Sequence, residues 1–260
     1  MTDLVLSTHN RLMWSNGAII HEGHGIYYGC IRQVPPGLGS LIWTAQRSPK
    51  GDALLQIDLG TGALLKRVSV PSVFVHDIFR HRDQVLVTDC DGGRVLVLQW
   101  PDMSFIRPIH VGTRASHLNT VCVLPNGDLW CLFHQKGPSS LVRVDWDTGA
   151  WLEVLRAGSQ SHGIVPWDGG FLVLSSGTGE LLHVSRTGAE ILWTDPGRKF
   201  LKGISLSGPD QVTFGVSDVT ARSDRGSPAL NCELVVFDLA RGALVSRERL
   251  PTRGLLNTIG

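Results

Sequence analysis

The stretch from Val75 to Pro108, VHDIFRHRDQVLVTDCDGGRVLVLQWPDMSFIRP, decides the fold. It opens with an apolar segment that carries a histidine, Val75-His76-Asp77-Ile78-Phe79, and a polar turn follows over residues 80–83. Gln84-Val85-Leu86-Val87-Thr88-Asp89 then alternates as a strand does. Residues 90–93 make a second turn and Arg94-Val95-Leu96-Val97-Leu98 a third strand. After Trp100-Pro101-Asp102, Ser104-Phe105-Ile106 starts a fourth. Four short strands with tight turns predict one up-and-down sheet. Such a sheet has two apolar faces and cannot stand alone.

More copies of the same unit supply the cover. Turns after the third strand recur as Asn16-Gly17-Ala18, Thr61-Gly62-Ala63, Thr148-Gly149-Ala150, Thr187-Gly188-Ala189 and Arg241-Gly242-Ala243. Glycine supplies the positive φ that such turns need. First strands are expected to begin at His24-Gly25-Ile26, His76-Asp77-Ile78, His117-Leu118-Asn119, His162-Gly163-Ile164, Lys202-Gly203-Ile204 and Leu255-Leu256-Asn257. A four-stranded unit repeating every roughly 40 to 50 residues predicts propeller blades. The reading is therefore an all-β, six-bladed β-propeller with four antiparallel strands per blade, one domain spanning residues 1–260. Residues 4–21 supply three strands with nothing before them, and residues 256–259 one strand with nothing after it. The last blade is expected to close by pairing the N- and C-terminal strands, which removes exposed sheet edges.

Composition limits the function. Of 260 residues, 42% are hydrophobic and 18% charged, which suits a globular chain with a large core. A net charge of +1 gives no electrostatic case for nucleic acid or an anionic membrane as partner. No run of 18 apolar residues predicts a membrane span, and Met1-Thr2-Asp3-Leu4 does not open a signal peptide pattern. Five cysteines form no CxxC pair, so reduced thiols and a cytoplasmic location are expected.

In a propeller the first strands line the central channel, and strand-one starts share a rim with strand-two ends. That rim collects His24, His76, His117, His162, Lys202 and Asn257 from the starts, and His9, Arg47, Asp89, His134, Ser175 and Asp218 from the ends. Neutral imidazoles suit zinc, copper or iron. Any one of these histidines could simply be a polar strand-end residue, but four at matching repeat positions argue for a shared role. We therefore expect His24, His76, His117 and His162 to hold one transition-metal ion, iron, zinc or copper. Asp77, Asp89, Asn119 and Glu22 are candidates to orient the rings. His9, His134, Asp89 and Lys202 are candidate catalytic groups that move protons or hold substrate. The polar loop over residues 219–231 is a candidate lid. No GxGxxG, phosphate loop or GxSxG occurs, and His21-Glu22-Gly23-His24 is one residue short of HExxH.

At His76-Asp77-Ile78 and Val85-Leu86-Val87-Thr88-Asp89 the chain resembles NHL-type propeller repeats, in particular the six-bladed peptidylglycine amidating lyases. The resemblance implies a channel metal on histidines at strand-one starts, with His76, His24, His117 and His162 as its ligands. A four-histidine channel also resembles the carotenoid-cleavage oxygenases, which implies iron. The expected function is a metal-dependent enzyme, of lyase or oxygenase type, acting on a small molecule at the channel mouth. A non-catalytic interaction module and a lactonase-like hydrolase are the alternatives.

Overall fold

The computed structural model describes residues 4–35, 39–72, 74–227, 229–252 and 256–260. Their strands form six four-stranded sheets. Blades one to five comprise residues 26–69, 75–110, 118–159, 162–194 and 200–250, each built from consecutive strands. Blade six joins Leu256–Ile259 to Val5–Thr8, Arg11–Trp14 and Ile19–Glu22. There Leu6 pairs with Ile259 and Ser7 with Thr258, antiparallel. Val5 and Gly260 exchange both backbone hydrogen bonds, at 2.9 and 2.8 Å. The two ends of the described chain thus close the expected six-bladed propeller. Leu255, expected in that strand, lies outside the described residues. Among the described residues, no helix is long and apolar enough to cross a membrane.

The six first strands make a ring. Ile26–Gln33, Val75–His81, Leu118–Val123, His162–Trp167, Phe200–Gly208 and Leu256–Ile259 each touch the next, and the last touches the first. The core is divided the same way, into six apolar clusters, one between each pair of neighbouring blades. Tyr28 and Trp43 of blade one meet Val75 and Val87 of blade two, for example, and Leu172 and Leu174 of blade four meet Phe214 and Val216 of blade five. Burying such a side chain contributes roughly 1.5–3 kcal/mol.

The recurrent turns have a shared chemistry. Asp58 Oδ1 accepts from the backbone N–H groups of Gly60 and Thr61 and from the Thr61 hydroxyl. Asp145 Oδ1 does the same with Asp147 and Thr148. The glycine after each threonine, Gly62 at φ +72° and Gly149 at φ +73°, turns the chain into the fourth strand. A Cβ at either would sit 2.0 Å from a carbonyl oxygen of the neighbouring blade, so the turn also docks blade to blade.

One irregularity positions the site. Where the first strand meets its neighbour, the register shifts between Tyr28 and Ile31, Val75 and Ile78, Leu118 and Thr120, His162 and Ile164, and Lys202 and Ile204. These are β-bulges. His162 lies opposite Leu174, while Ile164 lies opposite Val173. Paired residues share a face, so the bulge puts His162 and Ile164 on opposite faces although they are two apart. A channel-facing residue can then change its chemistry while the next apolar residue still packs between sheets.

Candidate functional site

The bulges define a belt around the channel. Tyr28, His76, Asn119, His162, Lys202 and Asn257 take equivalent positions: each precedes Gly, Asp or Thr, then Cys, Ile or Val. Those followers, Cys30, Ile78, Val121, Ile164, Ile204 and Ile259, line a funnel below. Belt members touch one another. The Tyr28 and His76 rings are 4.7 Å apart and those of His76 and His162 6.1 Å. Asn119 Nδ2 makes a long, 3.5 Å contact to His76 Nε2. Lys202 Nζ donates to Asn257 Oδ1 at 3.0 Å, and Asn257 Nδ2 donates to Tyr27 O at 3.0 Å. Lys202 also sits 5.0 Å from the Tyr28 ring centroid.

Above the belt a chamber of about 460 Å³ opens to one rim. His76, His162, Lys202 and Tyr28 form its floor, and His9, Arg47, His117, His134 and Arg225 its walls. His9, Arg47 and His134 lie at strand-two ends, as the meander requires. Four imidazoles make a closed circuit: His76 to His117 at 5.7 Å, His117 to His134 at 4.9 Å, His134 to His162 at 4.8 Å, and back to His76. Phe74 braces it, with Arg47 4.0 Å above its ring centroid.

Hydrogen bonds fix which nitrogen carries the proton. The Ser176 hydroxyl donates its only hydrogen to Leu201 O. Its lone pair therefore accepts from His162 Nδ1–H at 2.8 Å, leaving the lone pair of that imidazole on Nε2. His134 is the opposite tautomer, because its Nδ1 accepts the Lys136 backbone N–H at 3.1 Å and its proton is on Nε2. His117 Nδ1 lies 3.1 Å from Cys90 Sγ. Burial, and after it the charge of Lys202, hold His76 and His162 well below the usual imidazole range. Burial, then His117 and Lys202, push His134 down to about 3. All three rings are neutral at neutral pH. Asp77 lines the funnel, and burial pushes its carboxyl up to about 7.

The structure redistributes the expected site residues. His76, His117, His162, His134, His9 and Lys202 all line the chamber. His24 does not: it is exposed, four residues before the belt position that Tyr28 occupies. Its blade enters the channel late because its first strand begins at Ile26, after the Gly23–Gly25 bend. His117 precedes its belt position by two residues and reaches the chamber from a left-handed residue, φ +50°, that caps a short 3-10 turn. Asp89 is fully buried away from the chamber. Its carboxylate accepts from Arg94 at 2.8 Å, and from Ser72 and the backbone of Phe74 and Gly92, so it clamps the approach to blade two. Of the candidate orienting groups, Asn119 contacts His76, whereas Glu22 pairs with Arg11. Among the described residues, no three His, Cys, Asp or Glu side chains converge in metal-holding geometry. Sequence reasoning missed Tyr28, Ser176 and Arg225. The signal for Tyr28 was the small-then-apolar pair after each belt residue.

Comparison with known proteins supports the fold. No family model and no curated protein matches the chain. Among solved structures it is similar to a catalytically inactive histidine-to-alanine form of virginiamycin B lyase from Staphylococcus aureus, at 15% identity over 88% of this chain and 71% of that one, TM-score 0.59. It is similar to a chain of the nidogen/laminin complex, at 11% identity, 99% and 97% coverage, and TM-score 0.73. Regucalcin, a calcium-binding protein from Agrobacterium tumefaciens, matches at 13% identity, 89% and 76% coverage, and TM-score 0.62.

Proposed function

We propose that this propeller is an enzyme acting on a small molecule in the mouth chamber, by proton abstraction and elimination. The observation that supports this reading is the pair of opposite tautomers on adjacent rings. His162 offers a lone pair on Nε2 and His134 a proton on Nε2, with ring centroids 4.8 Å apart. In the reaction, His162 Nε2 takes a proton from the carbon next to a carbonyl. The Nε2–H of His134 and the ammonium of Lys202 stabilise the negative charge that develops on the carbonyl oxygen. The electron pair then expels a leaving group, and the His162 imidazolium returns its proton to it. Ser176 positions His162 throughout. The similar staphylococcal lyase loses its activity on a histidine-to-alanine change, which adds weight to a histidine-dependent lyase here.

The test is a panel of lactones and esters with leaving groups placed for elimination, followed by the loss of substrate. The wild-type chain should turn over at least one member. His162→Gln should lose about 10²- to 10⁴-fold, the usual contribution of a general base. Turnover unchanged in that variant removes the reading. An inert wild type whose loop 219–231 captures a protein partner favours the interaction module instead.

A second reading keeps the expected iron, zinc or copper ion, with His76, His117 and His162 as its holders. That all three line one chamber favours it, although the rings would have to rotate from their present hydrogen bonds to reach a common ion. Elemental analysis of untagged protein checks it: about one equivalent of metal is expected, lost on combining His76→Ala with His162→Ala.

A further inference from the structure

The chain has 24 lysines and arginines against 23 aspartates and glutamates, nearly balanced overall. The chamber is not balanced. Arg47, Lys136, Lys202 and Arg225 line it, and among the described residues no aspartate or glutamate does. In the chamber Arg47 lies 4.0 Å over the Phe74 ring, Arg225 lies 5.1 Å over Phe200, and Lys202 donates to Asn257 beside the Tyr28 ring. Lys202 is only 4% exposed. Arg225 arrives on the loop between the second and third strands of blade five, the candidate lid.

We propose that the chamber takes a substrate bearing a small oxyanion, a carboxylate or a phosphate, held between Arg47, Lys202 and Arg225 above the histidines. The inference rests on the reading of the chamber as the reaction site and adds its substrate class. Two planar guanidiniums suit an oxyanion, since each can donate two parallel N–H groups. One ammonium at the floor gives the third point. An anionic ligand is steered in by this concentration of positive side chains on one chamber.

The test is calorimetric titration of the full chain with orthophosphate and, separately, acetate, at constant ionic strength in chloride. One saturable site per chain is expected for at least one of the two anions. Saturation by phosphate alone assigns a phosphoryl group, and saturation by acetate a carboxylate. Arg47→Gln combined with Arg225→Gln should weaken binding at least tenfold, while Arg186→Gln on the outside should not change it. A melting temperature within a few degrees of wild type certifies the double variant; if it falls further, Arg225→Gln alone, on the partly exposed loop, must weaken binding at least threefold. Saturation by neither anion, or equal affinity in the variants, overturns the proposal. His162→Gln should still bind the anion. Retained binding without turnover of any panel member therefore leaves this inference standing and removes the proposed reaction.

Discussion

The two halves of the channel are made from neighbouring residues of the same six strands, yet they differ in kind. The belt reads Tyr28, His76, Asn119, His162, Lys202 and Asn257. One and two positions on, the same strands read Gly29, Asp77, Thr120, Gly163, Gly203 and Thr258, then Cys30 and five Ile or Val residues that line the funnel. Chemistry varies in the upper layer, while the position two residues on is always Cys, Ile or Val. The bulge makes this separation possible, because it frees the belt position from the packing that fixes the residue two further on. A fold can thus tune reactivity at one level and hold its blades together at the next.

The sharpest way to break this contrast is to exchange the effects of the two layers. Gly163→Ala adds a Cβ at φ +71°, 2.6 Å from Ile204 Cγ2. It should lower stability by about 2–4 kcal/mol, through backbone strain plus overpacking. His162→Gln, one residue earlier, should cost less stability than that while removing turnover. Urea denaturation of the two variants compares them directly, and the reverse order would dissolve the distinction.

The next effect is a response to acid. His76 and His162 are buried and neutral when folded, so the unfolded chain binds their protons first as pH drops below the ordinary 6.5. The unfolded state then holds more protons, and stability falls with pH by up to about 1.4 kcal/mol per unit for each ring. Asp77 acts in the opposite direction. Its carboxyl, raised to about 7 from 3.8, keeps a proton that the unfolded chain releases across that window. Two buried rings outweigh one carboxyl, so the melting temperature should be lower at pH 5 than at pH 7. Combining His76→Gln with His162→Gln should flatten or reverse that slope. A melting temperature that holds steady between the two values in the wild-type chain would contradict the depressed imidazoles.

Smaller still, Ile204→Val in the funnel should cost about 0.5–1.5 kcal/mol and leave anion binding unchanged. Smallest is Arg186→Ala, which removes an exposed pair with Glu153. Exposed pairs contribute little after solvent screening, so its melting temperature should barely move.

The blades were legible in the sequence because turns are local. Asp145-Trp146-Asp147-Thr148-Gly149 carries its own hydrogen-bonding partners, and the glycine marks where the chain must turn. The rim was legible too, since alternation fixes which strand ends meet. Phase within the first strand was not. A histidine at the start of an apolar run looks the same whether it enters the channel, as His76 does, or stays outside, as His24 does. The distinction depends on a bulge two residues on, and bulges follow from pairing with a distant strand. Asp89 shows the same limit: Arg94 lies across a hairpin and the segment it clamps is 15 residues upstream. The tautomers were beyond reach, for they hang on Ser176 and the Lys136 amide, neither of which has a motif.

The closing strand has a consequence for biogenesis. Leu256–Ile259 is the last of the ring to leave the ribosome, and it brings Asn257, the residue that tethers Lys202 and the Tyr27 carbonyl. A nascent chain that stops short of it possesses every histidine yet lacks Asn257 and leaves the edge of Val5–Thr8 bare. The Lys202–Asn257 hydrogen bond and protection from self-association are therefore acquired together, at a single late step.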